Sequence, residues 1–191
     1  MELIRLFIAI EISSDTIRSL AALQQQLSDG QRLAGVRWVG PENFHVTLQF
    51  LGETNPEKVG LINAAMDRAG HEQKAFELHT EGLGFFPNPE APRVLWTGVR
   101  EVQPVNALSR KLHAQLSKEF PTRGSVSPHI TLARMNDWIT DETLAKLKYT
   151  MARIEGKSVF GATHVNEICL FRSILGPEGP KYTRLHTSKL S

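Results

Sequence analysis

The chain has 191 residues, of which 41% are apolar and 22% are charged, the proportions of an ordinary globular protein of about one domain. A formal net charge of +2 is too small to indicate a surface that coats nucleic acid, although it allows a local basic cleft. The single cysteine, Cys169, excludes an intramolecular disulfide, and no segment resembles a membrane span or a signal peptide. We expect a cytoplasmic protein without membrane contact.

Strand and helix signals alternate along the first half of the chain. Apolar runs rich in Ile, Leu, Phe and Val predict strands over residues 3–12, 36–39, 44–51 and 76–86. Capping residues followed by apolar positions at helical spacing predict two helices, one from Ser13-Ser14-Asp15 to Asp29-Gly30 and one from Pro56 to about Gly70.

The second half continues in the same way. Strands are predicted over residues 93–99, 129–133, 165–175 and 182–187, and the last two are joined by a turn rich in Gly and Pro. Helices are predicted to begin at Pro104 and Asp141. No flexible linker divides the chain, so these elements predict one α+β domain over residues 1–191, with antiparallel sheets and outer helices.

One tetrapeptide pattern occurs twice, as His45-Val46-Thr47-Leu48 and as His129-Ile130-Thr131-Leu132. Side chains alternate faces along a strand, so in each copy His and Thr share one face while the apolar residues share the other. Each copy therefore predicts a strand that is buried on one side and presents an imidazole and a hydroxyl on the other. Two such strands indicate an internal duplication, and we expect them to share a cleft.

Two imidazoles in one cleft suit the hydrolysis of a phosphodiester. The attacking water needs a base and the departing oxygen needs an acid, and histidine can fill either role because it titrates near neutral pH. Groups on opposite sides of the phosphorus place these roles in line, and each Thr hydroxyl can donate a hydrogen bond to a phosphate oxygen.

A metal site or a serine hydrolase would account for fewer of the motif residues than phosphodiester hydrolysis does. A zinc site would need a third ligand from elsewhere, such as His164 or His186, and would leave both motif threonines unexplained. A serine hydrolase is disfavoured because the Gly-x-Ser-x-Gly elbow is absent, and the glycine patterns of nucleotide-binding loops are absent as well. The apolar flanks of Cys169 predict a buried side chain rather than a catalytic thiol.

The paired motifs resemble those of the 2H phosphoesterases, and their surroundings resemble one branch, the RNA 2′,3′-cyclic phosphodiesterases, also called 2′-5′ RNA ligases. The resemblance extends over nearly the whole chain and rests on Arg5-Leu6-Phe7-Ile8-Ala9-Ile10, Trp38, Pro41-Glu42-Asn43-Phe44-His45-Val46-Thr47-Leu48, Phe50-Leu51-Gly52-Glu53, Arg93-Val94-Leu95-Trp96, Pro128-His129-Ile130-Thr131-Leu132-Ala133-Arg134 and Gly179-Pro180-Lys181-Tyr182.

The resemblance implies two pseudo-symmetric lobes of antiparallel sheet that face a central cleft, each contributing one His-x-Thr strand. It implies that His45 is the general acid and His129 the base, and that Thr47 and Thr131 hold the phosphate. The implied reaction is metal-independent and cofactor-free hydrolysis of a 2′,3′-cyclic phosphate, on RNA ends or nucleotides, to a 2′-phosphomonoester. A 5′-hydroxyl RNA end in place of water would give a 2′-5′ linkage, and we expect a monomer.

Four further residues are candidate substrate contacts. Arg134 follows the second motif, but strict alternation would place it on the face opposite His129. Tyr182 can stack on a base or bond the phosphate, and Phe7 and Phe50 can line a nucleotide pocket or belong to the core. Arg5 can reach the cleft or lie at a sheet edge. The remaining histidines are read as structural or exposed, namely His71, His79, His113, His164 and His186.

Two alternatives for function stay open. The first is a nucleotide- or RNA-binding module of the same fold without catalysis, which the presence of His and Thr in both motifs disfavours. The second is a cyclic phosphodiesterase for a different nucleotide, such as ADP-ribose cyclic phosphate. Hydrolysis assays on several substrates separate these alternatives.

Overall fold

The computed structural model describes residues 2–121, 127–154, 159–177 and 179–191. Its helices are α1 (Ser14–Ser28), α2 (Val59–His71), α3 (Val102–Leu116) and α4 (Asp141–Ile154), with short 3-10 turns at Pro41–Asn43 and Pro56–Lys58. Its strands are β1 (Ile4–Glu11), β2 (Val36–Trp38), β3 (His45–Thr54), β4 (Phe76–Phe86), β5 (Val94–Val99), β6 (His129–Met135), β7 (Gly161–Val165), β8 (Glu167–Gly176) and β9 (Gly179–Lys189). Every predicted helix and strand is present, while β7 was not predicted.

The strands form two antiparallel sheets, one per lobe. The four-stranded sheet has the order β3-β1-β8-β9, and the five-stranded sheet has the order β2-β6-β5-β4-β7. The prediction of an α+β fold with two sheet lobes and outer helices is confirmed. The sheets correspond strand by strand, with β3, β1, β8 and β9 matching β6, β5, β4 and β7, and β2 is an additional strand outside β6.

The two faces of strand β1 pack into two different apolar clusters. Alternate residues Leu6, Ile8 and Ile10 belong to the main core beneath the helices, whereas Phe7 and Ala9 face the other way. On that second face Phe7 and Ala9 pack with Cys169 and Phe171 from β8, and Tyr182 packs against this cluster. Both faces of β1 are therefore buried, as its nearly continuous apolar sequence predicts.

The two lobes are not successive halves of the chain, because the N-terminal strands β1 and β3 share a sheet with the C-terminal β8 and β9, while β2 belongs to the other sheet. The lobes also exchange a helix. Helix α1 follows β1 of the four-stranded sheet but packs against β7 and α4 of the other lobe. In the opposite direction, α3 follows β5 of the five-stranded sheet but packs against β3 and α2. Helices α2 and α4 stay with the lobe of their own motif strand. Each helical layer therefore combines one helix of its own lobe with one from the other lobe.

Polar contacts hold α1 against the five-stranded sheet of the other lobe. The Thr16 hydroxyl donates to the Ala162 carbonyl at 2.9 Å, and the backbone N–H of Ser13 donates to the Thr163 hydroxyl at 3.0 Å. Gly161 lets the two elements approach, since a Cβ at this position would lie 2.6 Å from Thr16 Oγ1. None of the helices among the described residues is long and apolar enough to cross a membrane.

Gly161→Ala tests this close approach. We expect it to lower the free energy of unfolding by about 1–3 kcal/mol, because the added methyl group overlaps the buried Thr16 side chain. Urea unfolding followed by circular dichroism measures the change. The control is Gly60→Ala in the first turn of α2, where a Cβ has open space and a gain of about 0.5–1 kcal/mol is expected. Equal effects of the two substitutions would contradict the assigned contact.

Candidate active site

The two motif strands meet between the sheets. Strand β3 forms one edge of the four-stranded sheet, β6 lies next to the edge of the five-stranded sheet, and the two strands contact each other. In each motif the apolar residues are buried in the core, while both histidines are partly exposed on the opposite face. His45 and His129 are near enough to influence each other electrostatically. The structure thus brings the two motifs to one cleft.

The same backbone hydrogen bond orients both imidazoles. His45 Nδ1 lies 2.7 Å from the carbonyl oxygen of Asn43, and His129 Nδ1 lies 2.7 Å from that of Ser127. A carbonyl oxygen can only accept, so Nδ1 carries the proton and donates in both residues. Each neutral imidazole therefore has its lone pair on Nε2. These two carbonyls, each two residues before a motif histidine, are a functional feature that the sequence analysis missed.

The two threonines are placed differently. Thr47 is 8% exposed, and its Oγ1 lies 3.1 Å from His45 Nε2, where it donates to the neutral ring. Thr131 is more exposed and lies on the same face of β6 as His129. Both hydroxyls lie on the strand face that carries the imidazoles, where a donor to a phosphate oxygen would be needed.

A β-bulge corrects the expectation for Arg134. In β6, Thr131 pairs with Trp96 and Ala133 pairs with Leu95, so Leu132 is an extra residue without a partner of its own. Leu132 and Ala133 are both buried, and the alternation shifts by one position, which leaves Arg134 exposed. Arg134 therefore lies on the face of His129 and Thr131 rather than opposite, and its charge acts on both histidines.

A bulge at the same place in β3 positions Phe50. Thr47 pairs with Ala9 and Gln49 pairs with Ile8, so Leu48 is the extra residue, as Leu132 is in β6. Phe50 consequently occupies the place that corresponds to Arg134. It is 59% exposed and its ring lies 6.3 Å from that of Phe7, so Phe50 is a residue of the cleft face and not of the core.

Aromatic rings surround His45. The ring centroids of Phe7 and Tyr182 lie 5.0 Å and 5.4 Å from the imidazole, and Phe171 stacks on Phe7 at 5.3 Å. Beside them a cavity of about 530 Å³ opens, a volume typical of small-ligand sites. Its other lining residues include Asn43, Pro180, Lys181 and the paired Glu11 and Arg184. Both Phe7 and Tyr182 thus line a pocket beside the candidate acid.

The other lobe offers His129 a smaller aromatic surface. The edge of Phe86 lies against His129 with ring centroids 5.0 Å apart, and Phe86 in turn stacks on Trp96 at 5.1 Å. Trp96 fills the space that a side chain at Gly84 would occupy. Neither Phe86 nor Phe171 could be predicted as a site residue, because nothing in the sequence distinguishes these rings from other aromatic strand residues.

Burial lowers the pKa of both histidines. Desolvation is the largest cause at His45, whose pKa falls to about 4, and the positive charges of His129 and Arg134 lower it further. The hydrogen bond to Asn43 opposes this shift by stabilising the protonated ring. Desolvation and Arg134 also lower the pKa of His129. In the free protein, therefore, both imidazoles favour the neutral form at neutral pH.

The remaining histidines and the cysteine take other roles. His164 and His186, the candidate third zinc ligands, instead contact Glu77 and Asp67 at 2.6 Å and 2.8 Å. Cys169 is fully buried, and desolvation raises the pKa of its thiol to about 11, as expected for a core residue. Its carboxylate neighbours already have cationic partners, namely Arg184 for Glu11 and Lys189 for Glu167.

Comparisons with known proteins agree with this geometry. The sequence profile of the family described as LigT like Phosphoesterase matches residues 10–96 and 99–182. An RNA 2′,3′-cyclic phosphodiesterase of Archaeoglobus fulgidus is 32% identical over 182 residues, which are 95% of this chain and 97% of that protein. The protein of the same name from Methanothermobacter thermautotrophicus is 30% identical over 188 residues, covering 98% and 99% of the two chains.

A solved structure gives the same result. A Thermus thermophilus crystal structure superposes with a TM-score of 0.79 at 27% identity and covers 97% of each chain. The chain belongs to the LigT-like phosphoesterases, a group of 2H phosphoesterases. Within that family its relatives are enzymes that hydrolyse cyclic phosphodiesters, and the chain is an enzyme of this kind.

The low pKa of His45 predicts an acid-sensitive fold. His45 binds its proton near pH 6.5 when unfolded but only near pH 4 when folded, so the unfolded state takes up more protons between these values. We expect the free energy of unfolding to fall as the pH drops from 6.5 to 4, and to fall less in His45→Gln. Urea unfolding at several pH values measures both slopes. Thr131→Val, which removes no titratable group, is the control, and identical slopes in all three proteins would contradict the assignment.

Proposed function

We propose that this enzyme hydrolyses 2′,3′-cyclic phosphodiesters at RNA ends to 2′-phosphomonoesters, with His45 as the general acid and His129 as the general base. The observation that carries the proposal is the matched pair of imidazoles. Both have Nδ1 fixed to a carbonyl oxygen, so each has Nε2 available for proton transfer in the shared cleft. The activity of the relatives supports the substrate class.

The asymmetry of the cleft supports the assignment of acid and base. In a 2′,3′-cyclic phosphate, the leaving 3′-oxygen belongs to the same nucleoside that must be bound. The pocket formed by Phe7, Phe171 and Tyr182 lies beside His45 and offers aromatic faces for that nucleoside. Binding there brings the 3′-oxygen toward His45. The phosphorus then lies between the imidazoles, which leaves His129 next to the attacking water.

One proton is accepted by His129 and one is donated by His45 during a single displacement at phosphorus. His129 Nε2 accepts a proton from water while the water oxygen attacks phosphorus, and the bond from phosphorus to the 3′-oxygen breaks. His45 donates its Nε2 proton to that oxygen, which leaves as the 3′-hydroxyl. The product keeps its phosphate on the 2′-oxygen. His129 then holds the proton that His45 has lost, and exchange with solvent restores the starting states.

Thr47, Thr131 and Arg134 complete the site around the phosphate. When the substrate binds, the Thr47 hydroxyl can turn from His45 Nε2 and donate its proton to a phosphate oxygen, which leaves the Nε2–H of protonated His45 for the 3′-oxygen. Thr131 donates a hydrogen bond from the opposite strand, and the Arg134 guanidinium can form a bidentate contact with the phosphate. These donors stabilise the charge that accumulates on the phosphate oxygens during displacement.

The negative charge of the bound substrate stabilises the protonated form of His45, which is the general acid. A phosphate anion about 4 Å from an imidazolium stabilises it by about 4 kcal/mol at an effective dielectric constant of about 20, equivalent to about three pKa units. A shift of that size brings His45 from a pKa of about 4 in the free enzyme to near neutrality in the complex. The acid is therefore charged only when a phosphate is present.

The same steps permit ligation. A 5′-hydroxyl RNA end that replaces water at His129 would attack phosphorus and give a 2′-5′ linkage. Hydrolysis is favoured in dilute solution because water is abundant, whereas the second RNA end must also be held in place.

Alanine substitution tests the acid–base roles. We expect His45→Ala and His129→Ala each to lower kcat on cytidine 2′,3′-cyclic phosphate by about 100-fold to 10,000-fold, with turnover of the wild type unchanged by a chelator. Release of the 2′-phosphate product is the measurement. His164→Ala, at an exposed site on β7, is the control and keeps wild-type turnover.

The outcomes separate the alternatives. Full activity in both motif variants would overturn the roles of the two histidines. Binding of the nucleotide without turnover by the wild type would identify a binding module instead of an enzyme. Faster turnover of ADP-ribose cyclic phosphate than of any RNA end would keep the mechanism but change the substrate.

The charge of Arg134 predicts a shift in the pH profile. Arg134 lowers the pKa of both histidines, so Arg134→Gln should raise both and move the alkaline limb of kcat/KM to higher pH. The maximum of kcat/KM should also fall, by about tenfold, because a phosphate contact is lost. Arg134→Lys retains the charge and should keep the limb near its wild-type position. A limb that stays in place in Arg134→Gln would show that this charge does not act on the titrating groups.

A further inference from the structure

Strand β2 presents a second arginine directly beside Arg134. β2 pairs with β6 in a register that places Arg37 opposite Arg134, and opposite residues of neighbouring strands point to the same side of a sheet. Val36 and Trp38, on either side of Arg37, pack against the core, which leaves Arg37 exposed on the other face. Both guanidinium groups therefore extend from the cleft face of the five-stranded sheet.

Among the described residues, no carboxylate forms a salt bridge with either guanidinium. Like charges directly opposite each other destabilise a sheet. Among the described residues, the arginines with salt bridges to carboxylates are Arg18, Arg93, Arg100 and Arg184. Neither Arg37 nor Arg134 has such a partner within the described part of the chain. The described residues thus leave two adjacent positive charges without a carboxylate partner, an arrangement that an anionic ligand would stabilise.

Arg37 lies near the cavity beside His45. It reaches across to the turn between β8 and β9, where a Cβ at Gly179 would lie 2.9 Å from Arg37 Nη2. The next residue, Pro180, lines the cavity beside His45, and its carbonyl accepts a hydrogen bond from Asn43 Nδ2 at 3.2 Å. Arg37 is thus one strand farther from His129 than Arg134 is, and it lies against the residue that precedes Pro180 of the pocket lining.

We propose that Arg37 binds a second phosphate, the one on the 5′ side of the nucleoside that carries the cyclic phosphate. The inference rests on the proposed function, which places the cyclic phosphate at Arg134. A nucleoside 2′,3′-cyclic phosphate has only that one phosphate and leaves Arg37 without a partner. An RNA end supplies the next phosphate along the chain, which relieves the repulsion between the two guanidinium groups. Arg37 therefore favours RNA ends over mononucleotides.

Three substrates that share the same reacting group, a cytidine 2′,3′-cyclic phosphate, test the proposal. They are cytidine 2′,3′-cyclic phosphate, its 5′-phosphorylated form, and a dinucleotide that ends in cytidine 2′,3′-cyclic phosphate. We expect Arg37→Gln to lower kcat/KM about fivefold for the two substrates with a second phosphate and to leave the first within twofold of wild type. Arg37→Lys should retain part of the preference.

Two further measurements serve as controls. Arg110→Gln removes an exposed arginine from the outer helix α3 and should leave all three substrates unchanged. For the dinucleotide, the slope of log kcat/KM against log salt concentration should become shallower by about 0.7 in Arg37→Gln, as expected for one phosphate contact on a single strand.

Several outcomes would overturn the proposal. Equal losses on all three substrates would mean that Arg37 acts on the cyclic phosphate or on the β8–β9 turn. A loss confined to the dinucleotide would assign the contact to the upstream nucleoside, and no loss would remove Arg37 from substrate binding. If the wild type hydrolysed none of the substrates, the proposed function would fall. Calorimetric affinities for cytidine 2′-phosphate with and without a 5′-phosphate would then still decide whether Arg37 holds a second phosphate.

Discussion

The hydrogen bond from Nδ1 of each motif histidine to a backbone carbonyl determines what the cleft can do. Without it, either ring nitrogen could carry the proton, and a neutral imidazole could present a donor or an acceptor to the substrate. With it, His45 and His129 each have Nε2 as the nitrogen that changes protonation. A backbone acceptor has no charge of its own, so it fixes the tautomer without holding the ring permanently protonated. Both histidines therefore remain free to exchange a proton at neutral pH.

That geometry depends on two lobes that cannot be separated. Because α1 packs on the five-stranded sheet and α3 on the four-stranded sheet, movement of one lobe away from the other would expose the apolar faces of both helices. The position of β3 against β6 is therefore coupled to the main core rather than left to a flexible hinge. A site whose two proton-transfer groups come from different sheets needs this rigidity, since small displacements weaken catalysis strongly.

Sequence patterns predicted the elements and the two motifs well, because burial on one strand face leaves a clear alternation. They failed where the backbone departs from regular pairing. Strict alternation would place Arg134 opposite His129, which left its role as a substrate contact open. The extra residue Leu132 reverses the alternation after the motif, and one sequence shows no sign of a bulge. The helix exchange was also missed, since apolar spacing shows which face of a helix is buried but not against which sheet. Strand β7 is short and depends on pairing with β4.

The duplicated bulge explains how one motif can serve two different tasks. In both strands the residue three positions after the motif threonine returns to the cleft face. The two lobes differ in the residue at this place, which is Phe50 in β3 and Arg134 in β6. The first extends the aromatic surface that begins at Phe7 and Tyr182, next to His45. The second places a positive charge beside His129, with Arg37 across from it on a strand that the other lobe lacks. One lobe is thus equipped for a nucleoside and the other for phosphate. Under the proposed function, this difference would orient a cyclic phosphodiester with its sugar toward His45, so that the two equivalent imidazoles meet unequal partners and take opposite roles.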